Sequence, residues 1–228
     1  MMTTSPRRVL ILDFDGVLAD TEPIQFDCWN QAFHELLGIQ IEGSYTQLVG
    51  LSLDAIFRLW LRSSVGAVDD LSDSMKQLLL ARKNALFLEQ AGQLRPMPGS
   101  LDLIRRAHEH GWYVAIASRS QRLKLLRVLD LIGMPALFDL ILAGEDVIDR
   151  STNRKQHSRA AHLLNSDPQR CVVVEDSASG VADALACGIG HVIGLVHALS
   201  EAELRAAGAH ETVTHLGDVR LPDYTREV

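Results

Sequence analysis

Val9-Leu10-Ile11-Leu12-Asp13-Phe14-Asp15-Gly16 opens with four apolar residues and ends abruptly in two carboxylates and a glycine. Four consecutive apolar residues predict a strand that is buried on both faces, as in a parallel sheet. Side chains alternate along a strand, so Asp13 and Asp15 are expected to point the same way at its carboxyl end. Asp and Gly are also common turn residues. This segment alone therefore leaves two interpretations open, a turn or a functional site.

Two carboxylates in this arrangement suit phosphoryl transfer. One aspartate can attack phosphorus and form an acyl phosphate, while the other donates and later removes a proton. Such a pair of anions also attracts a hard cation. Mg²⁺, held by one or two carboxylates together with waters and substrate phosphate, fits better than Ca²⁺ in an all-protein cage. Mg²⁺ is therefore the predicted cofactor.

Length and composition narrow the class of protein. The 228 residues, 47% of them hydrophobic, suit one domain of moderate size or a main domain with a smaller insertion. A formal net charge of −7 argues against a nucleic-acid binder that is held mainly by phosphate contacts. No stretch approaches the roughly 18 apolar residues of a membrane span, and the first apolar run is too short for a signal peptide. The three cysteines, Cys28, Cys171 and Cys187, are expected to be small core residues of a cytoplasmic protein.

The pattern of elements predicts an α/β protein with a parallel sheet and a helical insertion. Three consecutive helical patterns follow the first strand, and from Pro96 onward helices and strands alternate. The predicted core comprises residues 1–20 and 95–228, and the predicted helical domain comprises residues 21–94. The predicted strands are 9–13, 112–117, 137–142, 171–174, 191–195 and 211–214, and the predicted helices are 24–37, 53–64, 72–91, 100–110, 121–133, 156–165, 178–187 and 199–208.

Polar residues follow two of the later strands. Ser118 comes after strand 112–117, and Glu175 and Asp176 come after strand 171–174. The carboxyl ends of parallel strands share one edge of the sheet, so these residues are expected to converge on Asp13 and Asp15. Ser118 is expected to bind phosphate, with a helix N-cap as the alternative. Glu175 and Asp176 are expected to share a cation with Asp13. The alternative for these two residues is that they cap helix 178–187.

A phosphoryl site also needs a fixed positive charge. The loop before helix 156–165 offers Arg150, Arg154 and its sole lysine, Lys155, and the two arginines are expected to be solvated. The histidines have no metal-binding spacing and are expected at the surface or in satisfied polar roles. The basic residues after strand 112–117 are expected on the exposed face of an amphipathic helix: Arg119, Arg122, Lys124 and Arg127.

These motifs, in this order over residues 9–180, resemble the haloacid dehalogenase-like hydrolase superfamily. The most similar branch is the β-phosphoglucomutase and phosphoglycolate-phosphatase type, which implies a Rossmann-like core with a helical cap. The resemblance makes Asp13 the nucleophile and a magnesium ligand, and Asp15 the general acid and base and a further ligand through its carbonyl. It also implies that Ser118 binds the phosphate and that Glu175 and Asp176 hold Mg²⁺.

The resemblance extends to substrate-binding residues, with one departure. Gly50 and Ser52 stand in a segment similar to the family's substrate loop, and Arg119, next to Ser118, is a further candidate substrate contact. Lys83 is similar to a cap lysine that reaches the site in the mutase branch, or else is a solvated helix residue. The family's Lys-Pro-x-Pro-Asp segment is missing, and Ser151 stands where its lysine is expected. Lys155 is therefore the first candidate for the site cation and Arg150 the second.

The predicted function is a magnesium-dependent phosphatase that acts on a small phosphorylated metabolite, a sugar phosphate or phospho-acid, through an aspartyl phosphate. The mutase branch has a histidine and an arginine where this chain has Gln25 and Leu53, so water is the expected acceptor. A phosphomutase is the first alternative, and a catalytically impaired binding or regulatory protein is the second. We expect no nucleic-acid or membrane partner, and a monomer or weak dimer.

Overall fold

The structure is a computed structural model that describes residues 7–47, 51, 53–63, 71–146 and 156–222. The chain divides into two compact units. One comprises Met1–Asp20 together with Arg95–Val228, and the other comprises Thr21–Leu94. Among the described residues, no helix combines the length and the apolar character that a membrane crossing needs.

The first unit, called the core unit, is built on a parallel sheet of six strands. From one edge to the other the strand order is β3-β2-β1-β4-β5-β6, and every neighbouring pair runs parallel. The predicted α/β class with a parallel sheet and a helical insertion is thus confirmed. The strands are β1 (Val9–Leu12), β2 (Tyr113–Ala117), β3 (Leu140–Leu142), β4 (Cys171–Glu175), β5 (His191–Leu195) and β6 (Glu211–Val213).

Strand β1 lies at the centre of this sheet because its four apolar side chains are covered on both faces. All four of its residues have no exposed surface. Leu12 is in register with Ile116 of β2 on one side and with Val174 of β4 on the other. Successive strands are added on one side of β1 up to β3, and the following strands, β4 to β6, are added on the other side. The direction in which strands are added therefore reverses between β1 and β4. Ligands of open α/β sheets bind at such a switch point, outside the carboxyl ends of the strands.

Among the described residues of the core unit, five α-helices connect and cover these strands. Small and branched apolar residues of β1, β2 and β4 pack against Ala160 and Ala161 and against Val181 and Ala184, and together they form one buried hydrophobic cluster. The helices are α4 (Ser100–Glu109), α5 (Arg122–Leu131), α6 (Gln156–Leu163), α7 (Ala178–Ala186) and α8 (Glu201–Ala206), with α1 to α3 in the other unit.

Strand β3 is shorter than predicted, because pairing with β2 begins at Leu140 and not at Leu137. The cause lies in Asp139, whose backbone N–H donates to the carbonyl of Val114 at 2.8 Å. Its carboxylate accepts the Val114 N–H, also at 2.8 Å. At this point the Val114 N–H thus donates to the Asp139 carboxylate, where a longer β3 would have offered a backbone carbonyl. The other predicted elements are present with ends that shift by one or two residues, and β4 extends to include Glu175.

The second unit, called the inserted unit, contains the helices α1 (Glu22–Leu37), α2 (Leu53–Ser63) and α3 (Asp73–Gln90). Its interior is an aromatic cluster in which Trp60, 1% exposed, lies edge-on to Phe33 with ring centroids 5.2 Å apart. Trp29 also packs edge-on against Trp60 at 5.9 Å. Aromatic pairs in this geometry stabilise a fold beyond the area they bury, so these rings hold α1 against α2.

Candidate active site

The backbone around β1 fixes both aspartates at the switch point. The N–H of Asp13 donates to the carbonyl of Val174 at 3.1 Å, which continues the β1–β4 ladder beyond the last residue of β1. The N–H of Phe14 donates to Oδ1 of Asp13 at 2.7 Å. Gly16 then adopts a φ of +76°, and a methyl group on it would overlap the Asp176 carboxylate. Glycine is therefore required here for both the backbone turn and the close approach.

Three carboxylates come together at this point. Asp13, Glu175 and Asp176 each offer an oxygen atom, and these atoms lie within 4.8 Å of one another. Glu175 and Asp176 are buried at 4% and 2% exposure. Burial, with the nearby charges of Glu175 and Asp15, raises the pKa of Asp13 well above its ordinary value. Clustered buried carboxylates repel one another unless a cation lies between them, and hard oxygen donors suit Mg²⁺. The residues present therefore fit the predicted metal ion.

The start of helix α7 supports Glu175 from behind. The Ser177 hydroxyl donates to Oε2 of Glu175 at 3.2 Å and accepts the Gly180 N–H at 3.0 Å. Ser177 is thus the N-cap of α7, so the alternative that Glu175 or Asp176 caps this helix is wrong. A side chain at Gly180 would overlap the Glu175 carboxylate. The glycine lets the helix start directly against the acid.

A histidine lies on the buried side of Glu175. His157 is 5% exposed, and its Nε2 atom is 3.6 Å from Oε1 of Glu175. Burial lowers the pKa of His157, but hydrogen bonds with Cys187 and Glu175 outweigh it and raise the pKa to about 9. Of the two environments predicted for the histidines, His157 therefore has the buried polar one and not the surface one. Cys28 and Cys171 are buried as predicted, whereas Cys187 is only partly buried and packs against the margin of the core.

Ser118 follows β2 and is buried at 2% exposure. Its backbone N–H donates to the Leu142 carbonyl at 3.0 Å, its carbonyl accepts from Nε2 of Gln156 at 2.6 Å, and its hydroxyl accepts the Ser120 N–H at 3.1 Å. The N-cap of α5 is Gln121, so the alternative N-cap role of Ser118 is wrong. Ser118 belongs to the loop between β2 and α5, at the same sheet edge as Asp13.

Lys124 corrects the prediction that the basic residues after β2 are all exposed. Its side chain is only 11% exposed, and Nζ lies 2.8 Å from Oδ1 of Asp15 and 2.9 Å from Oγ of Ser120. Ser120 in turn donates to Oδ2 of Asp15. Helical spacing contains a signal for this position, since Lys124 lies four residues before the buried Val128.

The three arginines of this segment have other surroundings. Arg127 is exposed and pairs with Asp130 at 3.4 Å, as an amphipathic helix predicts. Arg122 pairs with Asp146 and is less exposed than Arg127. Arg119 lies in the loop before α5 and is exposed, and its charge slightly offsets the factors that raise the pKa of Asp13.

Lys83 is not a solvated helix residue. It is 4% exposed, and its ammonium donates to Oε1 of Gln25 at 2.7 Å within the inserted unit. The ammonium also lies 5.5 Å from the ring centre of Trp29, a cation–π distance. Several predicted residues lie outside the part of the chain that the structure describes, namely Gly50, Ser52, Arg150, Ser151, Arg154 and Lys155.

Comparison with known proteins gives a consistent set of relatives. A family model described as haloacid dehalogenase-like hydrolase matches residues 10–193. A phosphorylated carbohydrates phosphatase of Thermotoga maritima is 25% identical over 88% of this chain and 91% of its own length. Hexitol phosphatase B of Escherichia coli is 26% identical over 83% and 85%. A crystal structure of a HAD family hydrolase from Deinococcus radiodurans, with bound phosphate and sodium, is 26% identical and superposes with a TM-score of 0.69, covering 93% of both chains.

Proposed function

The chain belongs to the haloacid dehalogenase-like hydrolases, and from that premise we propose that it is a magnesium-dependent phosphatase of a small phosphorylated metabolite. The observation that carries the proposal is the cluster of Asp13, Glu175 and Asp176 at the switch point, with Asp15 two residues from Asp13. Relatives named for phosphatase activity on phosphorylated carbohydrates and hexitols support a sugar phosphate or a related phospho-acid as substrate.

In the proposed reaction, Asp13 is the nucleophile. A carboxylate oxygen of Asp13 attacks phosphorus, and a new O–P bond forms while the bond to the leaving oxygen breaks. The Asp15 carboxyl group gives its proton to that oxygen. Asp15, now a carboxylate, then takes a proton from water, whose oxygen attacks phosphorus and releases Asp13. The products are the dephosphorylated metabolite and inorganic phosphate.

The remaining residues would bind and orient the phosphoryl group. When bound to Asp13, Glu175, Asp176 and the carbonyl of Asp15, Mg²⁺ would supply positive charge to the phosphoryl oxygens. Ser118 would donate a hydrogen bond to the phosphate from the same sheet edge. Lys155, with Arg150 second, is the proposed cation, and the proposed substrate contacts are Gly50, Ser52, Lys83 and Arg119.

Replacement of Asp13 by asparagine tests the proposed nucleophile. Asparagine preserves the size of the side chain and removes its nucleophilic oxygen, so we expect turnover of p-nitrophenyl phosphate to fall about 10³-fold or more. The matched control is Asp102→Asn, because Asp102 is an exposed residue of α4 in a loose pair with Arg105. Thermal unfolding of both variants shows whether the fold is kept. A folded Asp13→Asn variant that retains most of its activity would exclude the mechanism.

A panel of phosphorylated metabolites tests the activity itself. With Mg²⁺ present we expect release of inorganic phosphate from one or more sugar phosphates or phospho-acids, loss of activity in EDTA, and recovery when Mg²⁺ is restored. Incubation with β-glucose 1-phosphate separates a phosphomutase, which would form glucose 6-phosphate without free phosphate. Release of phosphate from no member of the panel would favour the binding or regulatory alternative.

A further inference from the structure

Both oxygens of the Asp15 carboxylate are held by one short segment of the core unit. Oδ1 accepts from the ammonium of Lys124 at 2.8 Å, and Oδ2 accepts from the hydroxyl of Ser120. Ser120 lies in the loop before α5 and Lys124 in the first turn of α5, four residues later, and their side chains also contact each other at 2.9 Å. The three side chains therefore form a closed triangle of hydrogen bonds.

Burial of Lys124 is costly, and its neighbours on α5 show the usual alternative. The side chains of Arg122 and Arg127 are 42% and 56% exposed, whereas Lys124 is withdrawn against Asp15. A lysine that leaves water loses hydration and rotamer entropy, and a well-formed ion pair is needed to offset these losses. The fixed ammonium therefore restricts the Asp15 carboxylate to one orientation.

Lys124 also places a positive charge beside Asp15. Asp15 stands two residues from Asp13 in the sequence, so two acidic side chains follow the same strand. In the part of the chain that the structure describes, the Lys124 ammonium is in direct hydrogen-bond contact with Asp15. A group that exchanges protons during a reaction works best when neighbouring side chains fix its position beforehand.

We propose that Lys124, together with Ser120, is the positioning residue for Asp15 in the reaction. This inference rests on the proposed phosphatase function, in which Asp15 gives its proton to the leaving oxygen. Lys124 acts through Asp15 and is not assigned a contact with the substrate. Its loss should weaken proton donation to the leaving group more than the attack by Asp13.

The leaving group provides a readout that a general structural defect would not change. An alkyl phosphate such as glycerol phosphate leaves as a strongly basic alkoxide and needs the proton from Asp15. p-Nitrophenolate leaves readily without it. General acid catalysis contributes about 10²- to 10⁴-fold, so we expect Lys124→Met to lower kcat for the alkyl phosphate by about 10- to 100-fold. For p-nitrophenyl phosphate we expect a fall of about threefold or less, with KM little changed for both.

Two further variants control for charge and for folding. Lys124→Arg keeps the positive charge and a donor, so part of the alkyl-phosphate activity should return. Arg127→Met removes a positive charge from the exposed face of the same helix and should leave both activities unchanged. If Lys124→Met does not fold, Ser120→Ala removes the other hydrogen bond to Asp15. It should show the same preferential loss on the alkyl phosphate, smaller in size.

The result separates this inference from the function on which it rests. An equal fall on both substrates in a folded variant, or no fall on either, would overturn the role of Lys124 while the phosphatase function stands. A wild-type protein that hydrolyses neither substrate, nor any of the panel above, would overturn the proposed function and this role with it.

Discussion

Replacement of Gly180 by alanine sets two opposing effects against each other at the start of α7. Alanine favours a helix over glycine by up to about 1 kcal/mol, so sequence alone predicts that the variant is more stable. At this position, however, all three heavy atoms of the Glu175 carboxylate lie within 3.0 Å of the site that the new methyl group would occupy. Glu175 is buried between Ser177 and His157, so it has little room to withdraw.

The structure predicts that the clash outweighs the helix propensity. Overpacking a closed site costs typically about 1 to 3 kcal/mol, which leaves a net loss of up to about 2 kcal/mol after the helix gain. For a chain of this size the loss corresponds to a fall in Tm of up to about 8 °C. Thermal unfolding followed by circular dichroism in EDTA measures it. Since the clash moves a proposed metal ligand, the difference between variant and wild type should widen when Mg²⁺ is added.

Gly92→Ala is the matched control for this substitution. Gly92 lies in a short 3₁₀ turn of the inserted unit, and a methyl group there would have no neighbour within 4 Å. We expect its Tm to equal that of the wild type or to rise slightly. A Gly180→Ala variant as stable as Gly92→Ala, with unchanged affinity for Mg²⁺, would refute the tight packing of α7 against Glu175.

Three further measurements test other parts of the structure. Trp60→Ala should cost the inserted unit about 3 to 5 kcal/mol in denaturant unfolding, because it removes a buried ring of the aromatic cluster; a loss below about 1 kcal/mol would contradict that packing. Cys187 should react with iodoacetamide before Cys171, as mass spectrometry of the labelled peptides can show. Hydrogen bonds from His157 and Ser158 outweigh burial and lower the pKa of Cys187, whereas burial raises that of Cys171 to about 11; equal rates would contradict this. A hydrogen bond from Arg82 lowers the pKa of Glu35 from its ordinary value of 4.5 to about 2. The pair therefore stabilises the inserted unit fully at pH values above 4.5, and this stabilisation is lost as the pH falls towards 2. Arg82→Gln should abolish this part of the pH dependence when unfolding is measured as a function of pH.

The sequence predicted the elements that depend on local pattern. The apolar run at Val9 identified a fully buried strand, and the alternation after Pro96 gave the parallel sheet. The position of Glu175 at a strand end then placed it near Asp13, because strand ends share an edge in any parallel sheet. These predictions need only the spacing of apolar residues along the chain and the parallel sheet that the order of helices and strands implies.

The residues that the sequence did not identify depend on partners far along the chain. Lys124 is separated from Asp15 by 109 positions, so helical spacing can place Lys124 on the buried side of α5 but cannot identify Asp15 as its partner. His157 similarly faces Glu175 from another element. The shortened β3 has the same origin, because the Asp139 carboxylate takes the place of a strand carbonyl. Side-chain contacts of this kind have no periodicity for a pattern to reveal.

The two ends of the inserted unit leave the core unit side by side. Ala19 and Pro96 form an antiparallel bridge, and the Met97 N–H donates to the Leu18 carbonyl at 2.9 Å. The core unit therefore meets the whole insertion as a closed loop, whatever that loop contains. Each doubling of the length of a flexible loop adds only about 0.6 kcal/mol to the entropy of closing it. Exchange of the insertion for a longer, shorter or different domain should thus leave the sheet and its carboxylates intact.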